Sequence, residues 1–294
     1  MTKAYLPYLT LCSALLLLLP TFAANADVVP APTCARIVSL SPSVTETLYV
    51  LGLGDSIVGV TRYCLYPVQA QAKPKVGGFL DPSNETIASL TPSLVITVRE
   101  QEEERRFLET LGIKTLSVEH KSIKGILNSI DEIASICGRA EEGRRLRADL
   151  EQRVEAVRQR SAGRPRVRVL VAVGGNEQDG ELSHLFVSGR DGYYDQMLSI
   201  VGADNVYSGT TANLPSLSKE GLIVLNPEVV IQIGSESDGL RVAPEAILRA
   251  WSKLSMINAV KNKRIHIFTQ DFASIPGPRF VLLLEEFARV IHPT

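Results

Sequence analysis

The sequence predicts an α/β protein in which two similar lobes are joined by one long helix, and three observations carry that prediction. A stretch of the chain is written twice: residues 84–96 read NETIASLTPSLVI and residues 219–231 read KEGLIVLNPEVVI. Glu85 answers to Glu220, Ile87 to Leu222, Leu90 to Leu225 and Pro92 to Pro227, each pair 135 residues apart. Each copy reads as a short helix, a proline that stops it, and a buried strand. Proline lacks an N–H and drives the residue before it out of the helical region. The aliphatic run that follows suits a strand covered on both faces. The separation is too long for a solenoid repeat, so two lobes explain it. Around both copies, short apolar runs alternate with helical patterns, the mark of a mostly parallel sheet. Between them, residues 140–162 set Leu146, Leu150, Val154 and Val157 on one face and Glu and Arg on the others. That is an amphipathic helix of roughly 20 residues, about 30 Å long.

In chain order, the first 26 residues read as an export signal. Lys3 supplies a positive start, residues 9–19 a short apolar core, and Ala24-Asn25-Ala26 a small-residue cleavage site. The apolar run is shorter than the roughly 20 residues of a spanning helix, and Cys12 lies inside it with no lipidation site around it. The expectation is cleavage after Ala26 and a soluble protein in the periplasm. Of the remaining cysteines, Cys34, Cys64 and Cys137, either two pair in an oxidising compartment or all three are buried thiols. Spacing does not give the pairing.

Residues 36–40 form a first strand. Ser41-Pro42-Ser43 opens a helix, with serine as cap and Glu46 as its capping-box partner. Strands follow at 57–60, 94–98 and 115–118, with a helix that begins in the charged run 99–106 and closes at Gly112. These make a first lobe over residues 34–138. The long helix at 139–163 ends at Gly163 and Pro165 and reads as a rigid strut, since a hinge would be glycine- or serine-rich; it predicts only small hinge motion. A second lobe over 164–294 has strands at 167–173, 229–233 and 264–268. Its helices fall near 194–201, 246–254 and 279–291, with Trp251 in the core. The 294 residues, 45% hydrophobic, suffice for two modest domains, and a net charge of -1 gives no electrostatic reason to expect nucleic acid.

Ligands of α/β sheets bind beyond the carboxyl ends of strands, and paired domains bind them in the cleft between. The segments after the strands are therefore the candidates: Thr61-Arg62-Tyr63-Cys64-Leu65-Tyr66-Pro67, Gly77-Gly78-Phe79-Leu80-Asp81-Pro82, Arg99, Glu119-His120, Ser188-Gly189-Arg190 and Gln270-Asp271-Phe272. Tyr63 and Tyr66 serve equally well as loop packing, Gly77-Gly78 as a turn, His120 as a satisfied core histidine and Arg99 as the start of a solvated charge run. Gly174-Gly175 lacks the third glycine and the acid of a dinucleotide site. There is no Gly-x-Ser-x-Gly elbow, no His-Glu-x-x-His pattern and no phosphate loop. Histidines at 120, 184, 266 and 292 have no metal-site spacing. A non-enzyme without a cofactor of its own is expected; the rival reading is a two-lobed metalloenzyme or cofactor-assembly protein.

With RIVSLSPSVTETLYVLGLGDSIVGVT, TRYCLYP, KVGGFLDP, SNETIASLTPSLVI, the strut helix and TQDFASIPGPR, the chain resembles the periplasmic substrate-binding proteins of ABC importers for cobalamin, ferric siderophores and haem. VGVTRYCLYP and VGGFLDP bring it nearest the cobalamin-binding branch. The resemblance implies two Rossmann-like lobes on a single helical backbone, a monomer that carries a corrinoid, and delivery to a permease dimer. It implies that Glu85 and Glu220 dock into arginine pockets of the permease. It places Tyr63, Tyr66, Gly78, Phe79, Arg190, Tyr193, Asp271 and Phe272 around the ligand, although relatives often show tryptophan where this chain has Phe79 or Phe272. A siderophore would draw on Arg62, Arg99 and Arg190, and haem on Tyr63, Tyr66 or His120 as axial ligand. Cys64 and His120 are also within the segments that could approach a cobalt centre.

Overall fold

The computed structural model describes residues 32–176, 184–211, 215–234 and 243–293, together with Met1 and Leu182. The expected export signal lies outside the described residues. The short aliphatic runs of the first lobe form β1 (Ile37–Ser39), β2 (Ile57–Val60), β3 (Leu94–Val98) and β4 (Thr115–Val118). They pair in the order β2-β1-β3-β4, all parallel. Burial of every residue in β1 and β3 explains why these strands carry no polar alternation.

Helices α1 (Pro42–Val50), α2 (Asn84–Ser89), α3 (Glu102–Thr110) and α4 (Ile123–Ile136) cover that sheet. The last is additional to the elements expected from the strand pattern. Ser122 caps it by accepting from Gly125 N–H, and Ile123, Ile126, Leu127, Ile130 and Ile133 bury one face. A disulfide between Cys34 and Cys137 ties the start of the lobe to the end of α4, while Cys64 is a buried free thiol.

The strut is α5 (Ala140–Ser161). Gly143, Leu150 and Val157 are its buried apolar positions, and Gly143 is required by closeness: a Cβ there would sit 2.5 Å from the Ala134 Cβ of α4. Polar pairs fix its other contacts. Arg147 meets Asp131 of α4 at 2.6 Å, and Arg153 grips Glu285 with two bonds of 2.9 and 3.0 Å.

The second lobe has β5 (Val167–Asn176), β6 (His184–Val187), β7 (Ala203–Asn205), β8 (Ser216–Leu217), β9 (Val229–Ile233) and β10 (Ile265–Phe268). The sheet runs β10-β9-β5-β6-β8, with β7 paired to the start of β5. Its β10, β9, β5 and β7 pairings are parallel, whereas β6 is antiparallel to both β5 and β8. The helices are α6 (Tyr193–Ile200), α7 (Lys219–Leu225), α8 (Pro244–Ser252), α9 (Asn258–Lys261) and α10 (Phe280–Ile291). Trp251 is buried on α8 and donates its Nε1–H to Gln232 Oε1 at 2.6 Å. One continuous apolar core joins Ile37, Leu94 and Ile96, Leu150 and Val157 of α5, and Val169, Val171 and Phe287. The strut is thus packed into both lobes.

Candidate ligand-binding cleft

The four parallel strands of the first sheet and β10 of the second lead to a common cavity of about 1150 Å³. Ser41 and Ser43 reach it from beyond β1, Tyr63 and Tyr66 from beyond β2, Glu100 from beyond β3 and His120 from beyond β4; Asp271 and Phe272 reach it from beyond β10. Phe79 completes the aromatic wall. It stands on a tight turn in which Gly77, at φ +106°, admits no side chain, because a Cβ would meet Asp81 O at 2.6 Å. Buried Gln101 fixes that turn to the sheet: its Nε2 donates to Phe79 O at 2.7 Å and Leu40 O at 2.9 Å, and its Oε1 accepts from Val98 N–H.

Of the residues singled out in the sequence, Tyr63, Tyr66, Phe79, Asp271 and Phe272 come together on this cavity. Gly78, Arg99, Arg190 and Tyr193 do not line it. Gly78 lies beneath an ion pair of Arg62 with Asp81, both exposed. Arg99 is exposed at the head of a 3-10 turn. Arg190 borders a separate hollow of about 230 Å³ with Arg166, Asp195 and Asp204. Tyr193 is buried, packed edge-on against Tyr194 with ring centroids 5.0 Å apart.

His120 is at the wall with both ring nitrogens engaged. Nδ1 is 2.7 Å from Ser43 Oγ and Nε2 2.8 Å from Ser129 Oγ. Burial pushes its pKa down to about 4, so it is a neutral hydrogen-bond relay at neutral pH. Cys64 lies in the core behind this wall. Its thiol is bonded by Thr45 and Thr61, and burial raises its pKa.

Two charged residues of the floor were not singled out. Helix α1 starts with Pro42 at its first position, so Ser43 is inside the helix and turned to His120 rather than capping it. Glu46 is therefore no capping-box partner. Its side chain, 1% exposed, accepts from Arg279 Nε at 3.0 Å and Nη2 at 2.6 Å, across the junction of the lobes. Arg279 also donates to both oxygens of Asp271 at 2.9 Å, and its guanidinium lies 3.7 Å from the centroid of the Tyr66 ring. Gly277 lets the two lobes approach, since a Cβ there would be 3.2 Å from Ser43 Cα and from Glu46 Oε2. Each residue is locally unusual, an arginine at the start of α10, where the helix dipole disfavours a cation, and an acid among the buried residues of α1, but neither points to the other.

The repeat is closer in space than in sequence. Ser83 accepts from Thr86 N–H to cap α2, and Ser218 accepts from Gly221 N–H to cap α7; Glu85 and Glu220 are exposed in the two first turns. Hydrogen bonds from its own backbone N–H and then from Ser218 hold the Glu220 carboxyl below the usual range. At the far ends, Arg36 donates to Leu90 O and Thr91 O, and Arg168 to Leu225 O and Asn226 O. Thr91 (φ +44°) and Asn226 (φ +41°) are both left-handed before their prolines.

A family model described as periplasmic binding protein matches residues 37–271. An uncharacterized ABC transporter substrate-binding lipoprotein of Bacillus subtilis, YvrC, is 29% identical over 280 residues, 92% of this chain and 84% of the relative. The vitamin B12-binding protein of Salmonella typhimurium is 26% identical over 280 residues, 95% of each chain. Among solved structures, the periplasmic heme-binding protein RhuT from Roseiflexus sp. RS-1 superposes with a TM-score of 0.72 at 25% identity, covering 87% of this chain and 97% of that one. With the matched family spanning both sheets, the strut between them and the cleft at their strand ends, this chain is a member of the periplasmic binding protein family.

Proposed function

We propose that the protein is the exported, non-enzymatic substrate-binding component of an ABC importer, which captures a corrinoid between its lobes and hands it to the permease. The observation that carries the ligand is the cavity. At about 1150 Å³ it exceeds the range of roughly 300–1,000 Å³ usual for small-molecule pockets, and its walls are the rings of Tyr63, Tyr66, Phe79 and Phe272. A wide slot with aromatic walls and polar points at its floor suits a flat macrocycle. Similarity to the vitamin B12-binding protein supports the corrinoid. Haem is the second reading, favoured by the two tyrosines at the cavity and by similarity to RhuT. A ferric siderophore is less well served, because Arg62, Arg99 and Arg190 are not among the lining residues. Glu85 and Glu220, presented by two like-capped helices, are the proposed permease contacts: a partner with two-fold symmetry offers two equal basic pockets to two equal acids.

Calorimetric titration with cyanocobalamin, haemin and a ferric hydroxamate tests the ligand. One-to-one binding of cyanocobalamin without turnover is expected. Binding of haemin or the hydroxamate alone would overturn the corrinoid, and conversion of any ligand would overturn the non-enzymatic reading.

A further inference from the structure

The cleft floor has an arginine that is closed to ligand anions. A guanidinium has five N–H donors. Arg279 gives Nε–H and one Nη2–H to Glu46, and an Nη1–H and the other Nη2–H to Asp271. One N–H is left, and one face of the group is covered by Tyr66. Among the described residues that line the cavity, Arg279 is the one lysine or arginine, whereas Asp271 and Glu100 are both carboxylates. Glu46 adds a third acid directly behind Arg279, and His120 is uncharged at neutral pH. The lining residues are therefore acidic in sum although Arg279 is among them; Lys121, outside the lining and mostly exposed, stands 3.5 Å from Glu100. Asp271, with its side chain 37% exposed, keeps acceptor capacity toward the cavity.

We propose that Glu46, Arg279 and Asp271 form a charge selector, which admits ligands whose rim carries uncharged N–H or O–H donors and rejects those whose rim carries carboxylates. The selector rests on the cleft being the ligand site and adds the charge class that the site accepts. A ligand amide meets the acceptors of Asp271 and Glu100. A ligand carboxylate in the same place meets two like charges, Asp271 and Glu100, whose cations Arg279 and Lys121 are already engaged. Like charges about 6 Å apart at the boundary of protein and water weaken binding by roughly three- to a hundredfold, with about tenfold as the central expectation.

Matched pairs of ligands test this. Cyanocobalamin is compared with its ring monocarboxylic acids, in which one amide is replaced by a carboxylate and the shape is kept. At low salt at least one acid isomer binds about tenfold more weakly than the parent, and the gap narrows as salt rises. Asp271→Asn narrows it further, because the new amide donates to the carboxylate. All acids binding within twofold of the parent, or any binding tighter, would overturn the selector. Should cyanocobalamin itself not bind, the corrinoid reading fails separately, and haemin against its dimethyl ester takes its place. The neutral ester is then expected to bind tighter; equal or weaker binding, or binding of neither pair, overturns the selector.

Discussion

Replacing Arg279 by methionine leaves most of its stem in place and removes the charge from the junction of the lobes. Glu46 is then a carboxylate 1% exposed with no cation beside it. Breaking a buried pair by removing one partner costs about 3–5 kcal/mol, most of it the stranded charge. At about 2 °C per kcal/mol for a chain of this size, melting falls by roughly 6–10 °C at neutral pH. The loss depends on pH in a direction the structure fixes. Burial already raises the Glu46 pKa above the usual carboxylate range, and Arg279 pulls it back. A carboxyl whose folded pKa is raised costs stability as pH climbs from the unfolded value through the folded one. Removing Arg279 raises the folded value further, so the variant loses least where the carboxyl is protonated, in the ordinary carboxylate range, and progressively more as pH climbs to neutrality and above. Thermal melts of the two proteins at several pH values measure this. Adding Glu46→Leu removes the stranded charge and restores much of the loss. A single variant that melts within about 1 °C of the parent at neutral pH, or a double variant less stable than the single, would refute the account of the floor.

Three further outcomes are expected. Glu85→Ala with Glu220→Ala abolishes uptake in cells while leaving the ligand Kd unchanged; normal uptake would remove these acids from the permease contact. The Cys34–Cys137 bond spans a sequence separation of 103, so Cys34→Ser with Cys137→Ser costs about 4–5 kcal/mol by loop-closure entropy. Denaturant titration with and without reductant reads it, and coincident curves would contradict it. Cys64, buried with its pKa raised, stays unreactive to a thiol reagent until the protein unfolds; rapid labelling of the native protein would show an opening that this core does not have.

The strands were legible because each is a short aliphatic run between turn residues, and their bounds in β2, β3, β4 and β9 match the expected ones. The strut was legible from its period, since Leu150 and Val157 are buried and Leu146 and Val154 pack beside them. Helix α4 was as legible in principle, with isoleucines at helical spacing behind a capping serine. The antiparallel pairing of β6 with β5 and β8 was not, because a four-residue strand and a two-residue edge strand carry too little pattern to give a direction. At the cleft, Tyr63, Tyr66 and Phe272 could be placed because they lie within a few residues of a strand end, and Phe79, well past β2, because Gly77-Gly78 stand before it. Arg279 could not, because its role depends on Glu46, 233 positions away in the chain, and nothing local in either segment announces the other. Tyr193 and Arg190 follow β6 closely, yet α6 turns one inward and the loop turns the other to a different hollow.

What the two lobes share and what they do not divides along one line. Shared are the serine caps of α2 and α7, the acids in their first turns, the left-handed residues at their ends and the arginines that grip their last carbonyls. The sharing extends to the side chain of the residue after each proline, which accepts from the backbone N–H of the same arginine. Ser93 Oγ accepts from Arg36 N–H at 2.9 Å, and Glu228 Oε2 accepts from Arg168 N–H at 2.8 Å. All of these fix the direction of a short helix that would not hold its direction alone. At the cavity nothing is paired in this way: the first lobe brings Tyr63, Tyr66 and Phe79, the second Asp271, Phe272 and Arg279. A ligand without internal symmetry needs different walls on its two sides and places no demand on equal helix tips. A two-fold partner needs equal tips and is indifferent to the walls. The same chain therefore holds its outer helices alike and its inner surfaces apart, which is the division expected of a carrier that meets a small molecule on one account and a symmetric dimer on the other.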